Sequence, residues 1–205
     1  MSTVLETINY GLRLIGQQEL LNTNSTLGTL CKAMLQSATD TVIMETRHQS
    51  TLQFFDSTVT EVDYSLPGVV YPPRMYQLIQ VFARQGTNDW KELVHCDFES
   101  LAYRKAHFNV TNNSIFFSKP ISRPFTVRLC GVTGVDTIGL ADAANYPLAP
   151  ELEPAVWHTL ASLLAVSFVD DPNASAIQSR AAEMHIQRIR NRKGTFGSSS
   201  VKWRY

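Results

Sequence analysis

PAVWHTLASLLAVSFVDDPNASAIQSRAAEMHIQRIRNR, residues 154–192, decides how the rest of the chain is read. Val156, Leu160, Leu163, Leu164 and Phe168 recur at three- and four-residue steps, which lays them along one face of an α-helix. Asp171-Pro172-Asn173 ends that helix, because proline drives the residue before it out of the helical region and Asn173 suits an N-cap. A second helix follows, in which Ile177, Ala181, Met184 and Arg188, and again Ile186 and Ile189, make an amphipathic run with a polar side rich in Gln, Arg and His. Such a hairpin cannot bury its apolar stripe alone. The nearest cover is a pair of helices at the other end of the chain, so the middle reads as an insertion.

Working outward, Thr3-Val4-Leu5-Glu6 has the spacing of a capping box. The first helix starts there with Leu5, Ile8, Leu12 and Ile15 as its apolar face, and Gly16 suits the left-handed residue that follows a helix. A polar connector leads to a second helix from about Thr26 to Gln49, whose expected inner register is Leu27, Leu30, Cys31, Met34, Leu35, Ala38, Val42 and Glu45. Past Gln49 the period shortens toward two and the composition turns to Phe, Val, Thr and Tyr. Expected strands are Leu52–Phe55, Val59–Tyr64, Tyr76–Arg84, Trp90–Val94, Ser114–Phe117 and Phe125–Val132, with Asn112-Asn113 as a tight hairpin. Gly134–Pro150 returns the chain to the helices. The expected fold is α+β. Residues 1–50 and 145–192 form a helical bundle, 51–135 an inserted small antiparallel β-sandwich or barrel, and 193–205 an extended C-terminal tail.

Composition excludes several classes. Of 205 residues, 44% are hydrophobic and 18% charged, which argues against disorder, and no apolar run is long enough to span a membrane. The N-terminus lacks the basic and apolar regions of a signal peptide, so synthesis in a cytoplasm is expected. Cys31, Cys96 and Cys130 are sparse and odd in number, without CxxC spacing, which fits packed thiols rather than a disulfide framework or a zinc site. Net charge is zero, yet from Arg180 onward seven basic residues stand against Glu183 alone. A basic end on an acidic body suits contact with nucleic acid or with an acidic surface, including that of an identical neighbour.

Catalytic patterns are thin. None of the histidines 48, 95, 107, 158 and 185 lies in a metal or nucleophile motif, and adjacent His95 and Cys96 would point to opposite faces of a strand. Glu61/Asp63, Asp97/Glu99 and Glu151/Glu153 have the i, i+2 spacing that puts two carboxylates on one strand face, as a glycosidase site requires, although solvated faces usually explain such pairs. No phosphate-binding glycine loop occurs, and no cofactor or metal is expected. Arg188, Arg190, Arg192 and Lys193 either bind phosphates or complement the C-terminal end of a helix dipole. The last residues, GTFGSSSVKWRY, combine a flexible Gly/Ser segment with the anchors Phe196, Lys202, Trp203, Arg204 and Tyr205. Either a clasp onto a partner or a strand tucked against its own domain accounts for them.

Ile8-Asn9-Tyr10-Gly11-Leu12-Arg13-Leu14-Ile15-Gly16, followed by a polar connector and a long helix entering a β region, resembles the head-to-tail adaptors of short-tailed bacteriophages, the tail tubular protein A group. The closing pair of helices around Asp170-Asp171-Pro172, ending in Arg/Asn-rich sequence, resembles that family's C-terminus. Leu52-Gln53-Phe54-Phe55 departs from it by lacking the tryptophan that members often carry there. The resemblance implies a non-enzymatic homo-oligomeric ring in the virion, commonly a dodecamer. It would sit between the portal protein and the tail nozzle protein, with DNA passing through its lumen, unbound, during ejection. Two other classes stay open: a tail-associated peptidoglycan hydrolase using a pair such as Glu61 and Asp63, and a sequence-independent DNA-binding module working through Arg188–Lys193.

Overall fold

The computed structural model describes residues 2–118 and 122–192. The chain divides into two compact units, one made of the residues up to Ser50 with those from Val135 onward, the other of Thr51–Gly134.

In the first unit, Thr3 caps helix α1 (Val4–Leu14). Glu6 N–H donates to Thr3 Oγ1 at 3.2 Å, and Thr3 N–H donates to Glu6 Oε2 at 2.7 Å. These bonds satisfy two orphan donors and hold the Glu6 carboxyl below its usual range. α1 ends on Gly16 at φ +68°, where Gly16 N–H bonds Arg13 O and Gln17 N–H bonds Leu12 O, the paired closure that a left-handed residue permits. Ser25 caps α2 (Thr26–Thr46). Helix α3 (Glu153–Leu164) carries proline in its first turn and runs into a five-residue π-helical turn, Ala165–Val169. Asp170 then turns left-handed, and Asp171 Oδ1 accepts from Asn173 N–H at 2.9 Å and Ala174 N–H at 3.0 Å to start α4 (Pro172–Arg192). The cap is therefore Asp171, not Asn173, and Pro172 occupies the first turn where its missing N–H costs nothing.

α3 is the centre of this unit and packs against α1, α2 and α4. Val156, Leu160 and Leu164 are fully buried, along with Ile8 of α1, Leu35, Val42 and Ile43 of α2, and Tyr146, Leu148 and Leu152 ahead of α3. Each such side chain contributes about 1.5–3 kcal/mol when removed from water. α1 approaches α3 closely enough that a Cβ on Gly11 would stand 2.9 Å from Leu160 Cδ2. The N-terminal residues are tied to the segment before α3 by Tyr146 N–H to Ser2 O at 2.8 Å and Val4 N–H to Ala144 O at 3.0 Å.

The second unit is one seven-stranded sheet. Its strands are β1 (Leu52–Val59), β2 (Val69–Val70), β3 (Met75–Arg84), β4 (Lys91–His95), β5 (His107–Thr111), β6 (Ser114–Phe117) and β7 (Phe125–Thr133), in the order β1-β7-β3-β4-β5-β6-β2. Neighbours are antiparallel except β4 and β5, which run parallel with Val94 opposite His107. Val59, Val81, Leu93, Phe108, Ile115, Phe117, Phe125, Val127 and Leu129 form its core. Asn112 and Asn113 both have positive φ, 48° and 61°, and join β5 to β6 as a tight turn.

This overturns the expected fold class. In place of a bundle of terminal helices carrying a small antiparallel sandwich or barrel, the molecule has four α-helices arranged around α3 and one mixed sheet containing a parallel pair. Two local features account for the difference. Residues 60–64 are not a strand: the Glu61 and Asp63 carboxylates accept N–H groups of their own turns and hold the segment in a loop. Asp97 begins a 3-10 turn, Phe98–Ala102, that carries the chain across so that β5 lies alongside β4 in the same direction. A parallel partner requires such a crossover, whereas a period of two in the sequence says nothing of strand direction. The expected tail, residues 193–205, lies outside the described residues.

Candidate functional site

The carboxylate pairs do not form a site. Glu61 Oε1 accepts the N–H groups of Val62 and Asp63 at 2.9 and 3.1 Å, and Asp63 Oδ1 accepts the N–H and hydroxyl of Ser65. Asp97 and Glu99 open a 3-10 turn rather than lining a strand. Glu151 pairs with His48, and Glu153 accepts from Ser2 Oγ at 2.7 Å. His95 lies edge-on to Phe108, and Cys96 is held by backbone bonds to β5. Burial pushes the Cys31 thiol up to about 11 and raises Cys130 and Cys96, so none is poised as a thiolate. Among the described residues no three His, Cys, Asp or Glu side chains are placed to hold a metal, and no helix is long and apolar enough to cross a membrane. A cleft of about 160 Å³ beside the β3–β4 turn is floored by Ala83, Leu93 and Phe125 and rimmed by Asp89 and Lys91.

The basic end of α4 is partly engaged. Arg190 Nε donates to the Glu45 backbone carbonyl at 2.7 Å and its guanidinium pairs with the Glu45 carboxylate, which satisfies one of the last carbonyls of α2. Arg188 and Arg192 stay exposed. Lys193, Phe196, Lys202, Trp203, Arg204 and Tyr205 lie outside the described residues. On the inner side of α4, His185 stacks on His158 of α3 with ring centres 5.3 Å apart, and His158 Nδ1 donates to Gln178 Oε1 at 2.7 Å. Burial, and then the neighbouring His158 and Arg188, lower the His185 pKa.

What remains exposed is apolar. α2 buries Cys31, Leu35, Ala38, Thr39, Val42 and Ile43, while Leu27 (40%), Leu30 (47%) and Met44 (54%) face outward. Its exposed positions from Thr26 to Met44 are Thr, Leu, Ala, Ser and Met only, and the first exposed charge is Glu45. A solvated helix face is ordinarily charged. α4 buries Ala182, Ile186 and Ile189 and leaves Ile177 (63%) and Met184 (56%) outside. Reading the sequence as a single inner stripe placed Leu27 and Leu30, with Ile177 and Met184, among packed positions. The available signal was the near-absence of charge around α2, where only Lys32, Asp40 and Glu45 are ionisable.

On the sheet, Arg128 holds Asp56 through two bonds of 2.7 Å and lies 4.4 Å from the Trp90 ring centre, with Arg84 at 4.6 Å from the same ring. The Arg128 hydrogen bonds lower the Asp56 pKa. Phe54, 55% exposed, lies beside this cluster. No protein-family model matches the chain, and no curated protein matches its sequence.

Proposed function

We propose that the chain is a structural, non-enzymatic subunit that works in a homo-oligomeric ring, and that the ring is a head-to-tail adaptor of a short-tailed bacteriophage virion. The observation that carries this is the uncharged outer face of α2, exposed from Leu27 to Met44. Monomers rarely leave such a face in water, and contiguous exposed apolar surface marks an interaction site. A second exposed stripe on α4 gives the same unit two different sticky surfaces, which is what head-to-tail association around a ring requires. The Asn9–Gly16 stretch and the order of the elements supply the adaptor assignment by resemblance. In that setting the portal and the tail nozzle are the protein partners and DNA passes through the lumen. Arg188, Arg192, Lys193, Phe196, Lys202, Trp203, Arg204 and Tyr205 then serve as anchors on a neighbour or on the portal. The carboxylates that a hydrolase would need are spent on turns and local bonds, so they lend that alternative nothing.

The test is the mass of the purified full chain, alone and with a portal protein, by native mass spectrometry. A closed oligomer of uniform stoichiometry is expected. A monomer under both conditions refutes the reading.

A further inference from the structure

We infer that the α4 stripe Ile177–Ala181–Met184 of one copy seats on the outer face of α2 of the next copy. The inference rests on the assembly reading above and names the two surfaces that meet. Along α2 the outward residues Leu27, Leu30, Met34, Ser37, Thr41 and Met44 follow alternating steps of three and four, the spacing that keeps one seam facing a partner helix. The seam is bulky at its ends and small in the middle, where Ala33, Ser37 and Thr41 are exposed. The α4 stripe is the complement, with Ile177 and Met184 as knobs on either side of Ala181. Seven residues separate the knobs, about 10.5 Å along the axis, and Ala33 to Thr41 spans about 12 Å, so both knobs fit within the small stretch.

Charge selects the pairing. The exposed arginines Arg180 and Arg188 border the α4 stripe, and packing it on its own copy would bring these like charges together. The outer face of α2 brings no cation to meet them: Lys32 is turned away into contact with Asp142 at 3.2 Å and with Leu140 O at 2.7 Å. The far end of the seam carries Glu45. A basic-rimmed stripe therefore meets an uncharged face with an acidic end.

The experiment uses the full chain in a Cys96→Ser background, since Cys31 and Cys130 are buried and Cys96 is not fully so. Ala33→Cys, Ser37→Cys and Thr41→Cys proteins are each mixed with Met184→Cys protein and oxidised mildly. The expected result is a disulfide-linked dimer in at least one mixture and in none of the proteins alone. Met184→Glu is expected to raise the concentration needed for assembly roughly a hundredfold or more, because it places an unpaired charge in the seam, while the circular dichroism melt of the unassembled chain is unchanged. An assembled protein that gives no crosslink in any mixture, or in which an α2 variant crosslinks only to itself, overturns the pairing and leaves the assembly reading standing. A chain that stays monomeric overturns both.

Discussion

Leu160 and Gly11 offer a direct test of how α3 is held. Leu160 is fully buried at the point where α1 crosses, and Leu160→Ala should cost the helical unit about 3–5 kcal/mol through lost transfer energy and the cavity left behind. Gly11→Ala alone adds a methyl group whose Cβ meets Leu160 Cδ2 at 2.9 Å and Cγ at 3.0 Å, both too close for an ordinary contact. Overpacking of about 1–3 kcal/mol is offset by about 1 kcal/mol of helix propensity, so the single variant should be neutral to moderately destabilised. In the double variant the clashing atoms are gone. The only Leu160 atom left near the new methyl is Cβ at 3.5 Å, an ordinary van der Waals distance. Gly11→Ala should therefore become stabilising in the Leu160→Ala background, with a coupling of about 1–3 kcal/mol across the cycle. Urea unfolding followed by circular dichroism at the helix band reports the right unit, since all four α-helices belong to it. Costs that add within about 0.5 kcal/mol would show that α1 does not bear on Leu160 as described.

The remaining predictions concern caps, charge and pH. Thr3→Ala removes the hydroxyl of the capping box and should lower the stability of the helical unit by about 1 kcal/mol, with Glu6→Ala recovering little in that background because the bonds are reciprocal; an unchanged urea midpoint for Thr3→Ala contradicts the cap. Arg190→Ala breaks an exposed pair with Glu45, so its effect should stay within about 1 kcal/mol and weaken as salt rises. A larger, salt-independent loss would mean that the α2 carbonyl contact dominates. His185 has its folded pKa below the unfolded one, so the unfolded chain takes up the proton first: this contribution is complete above the unfolded value near 6.5 and is lost as pH falls through the folded value. Urea midpoints should fall on acidification below neutrality and do so less steeply in His185→Gln. Identical slopes for the two proteins would remove His185 as the source.

Local chemistry was legible wherever a few neighbouring residues settle the backbone. Thr3 with Glu6, Gly16 and the Asn112-Asn113 turn each act within four residues, and the structure uses them as their side chains dictate. Strand pairing was not legible in the same way. β4 and β5 look like any alternating segments, and their parallel arrangement depends on where the Asp97 turn delivers the chain. β5 itself, His107–Thr111, was recognised only as the approach to a hairpin. Residues 60–64 show the converse: Val59-Thr60-Glu61-Val62-Asp63-Tyr64 alternates like a strand, yet Glu61 and Asp63 bond their own backbone and compete with any ladder. Alternation measures which side chains share a face and is blind to that competition.

The α3 stripe failed for a geometric reason that also bears on the proposed interface. Val156, Leu160 and Leu164 lie inward as the spacing requires, but the π-helical turn that follows takes one extra residue per hydrogen-bonded ring and rotates everything beyond it. Phe168, in register by sequence, ends 36% exposed, and Val166 and Val169 come out with it at 55% and 38%. On α2 and α4 no such irregularity occurs, and the apolar residues outside the core there form regular second stripes. A helix packed on one side by its own chain and on the other by a neighbour carries apolar groups around most of its circumference, so a search for one buried face merges the two. Charge separates them better than hydrophobicity does. On α2 every ionisable group except Glu45 is only partly exposed and bonded within the chain, Lys32 to Asp142 and Asp40 to Gln36, and the outer face is left without any. Water alone would not select for that arrangement, whereas a packed neighbour would.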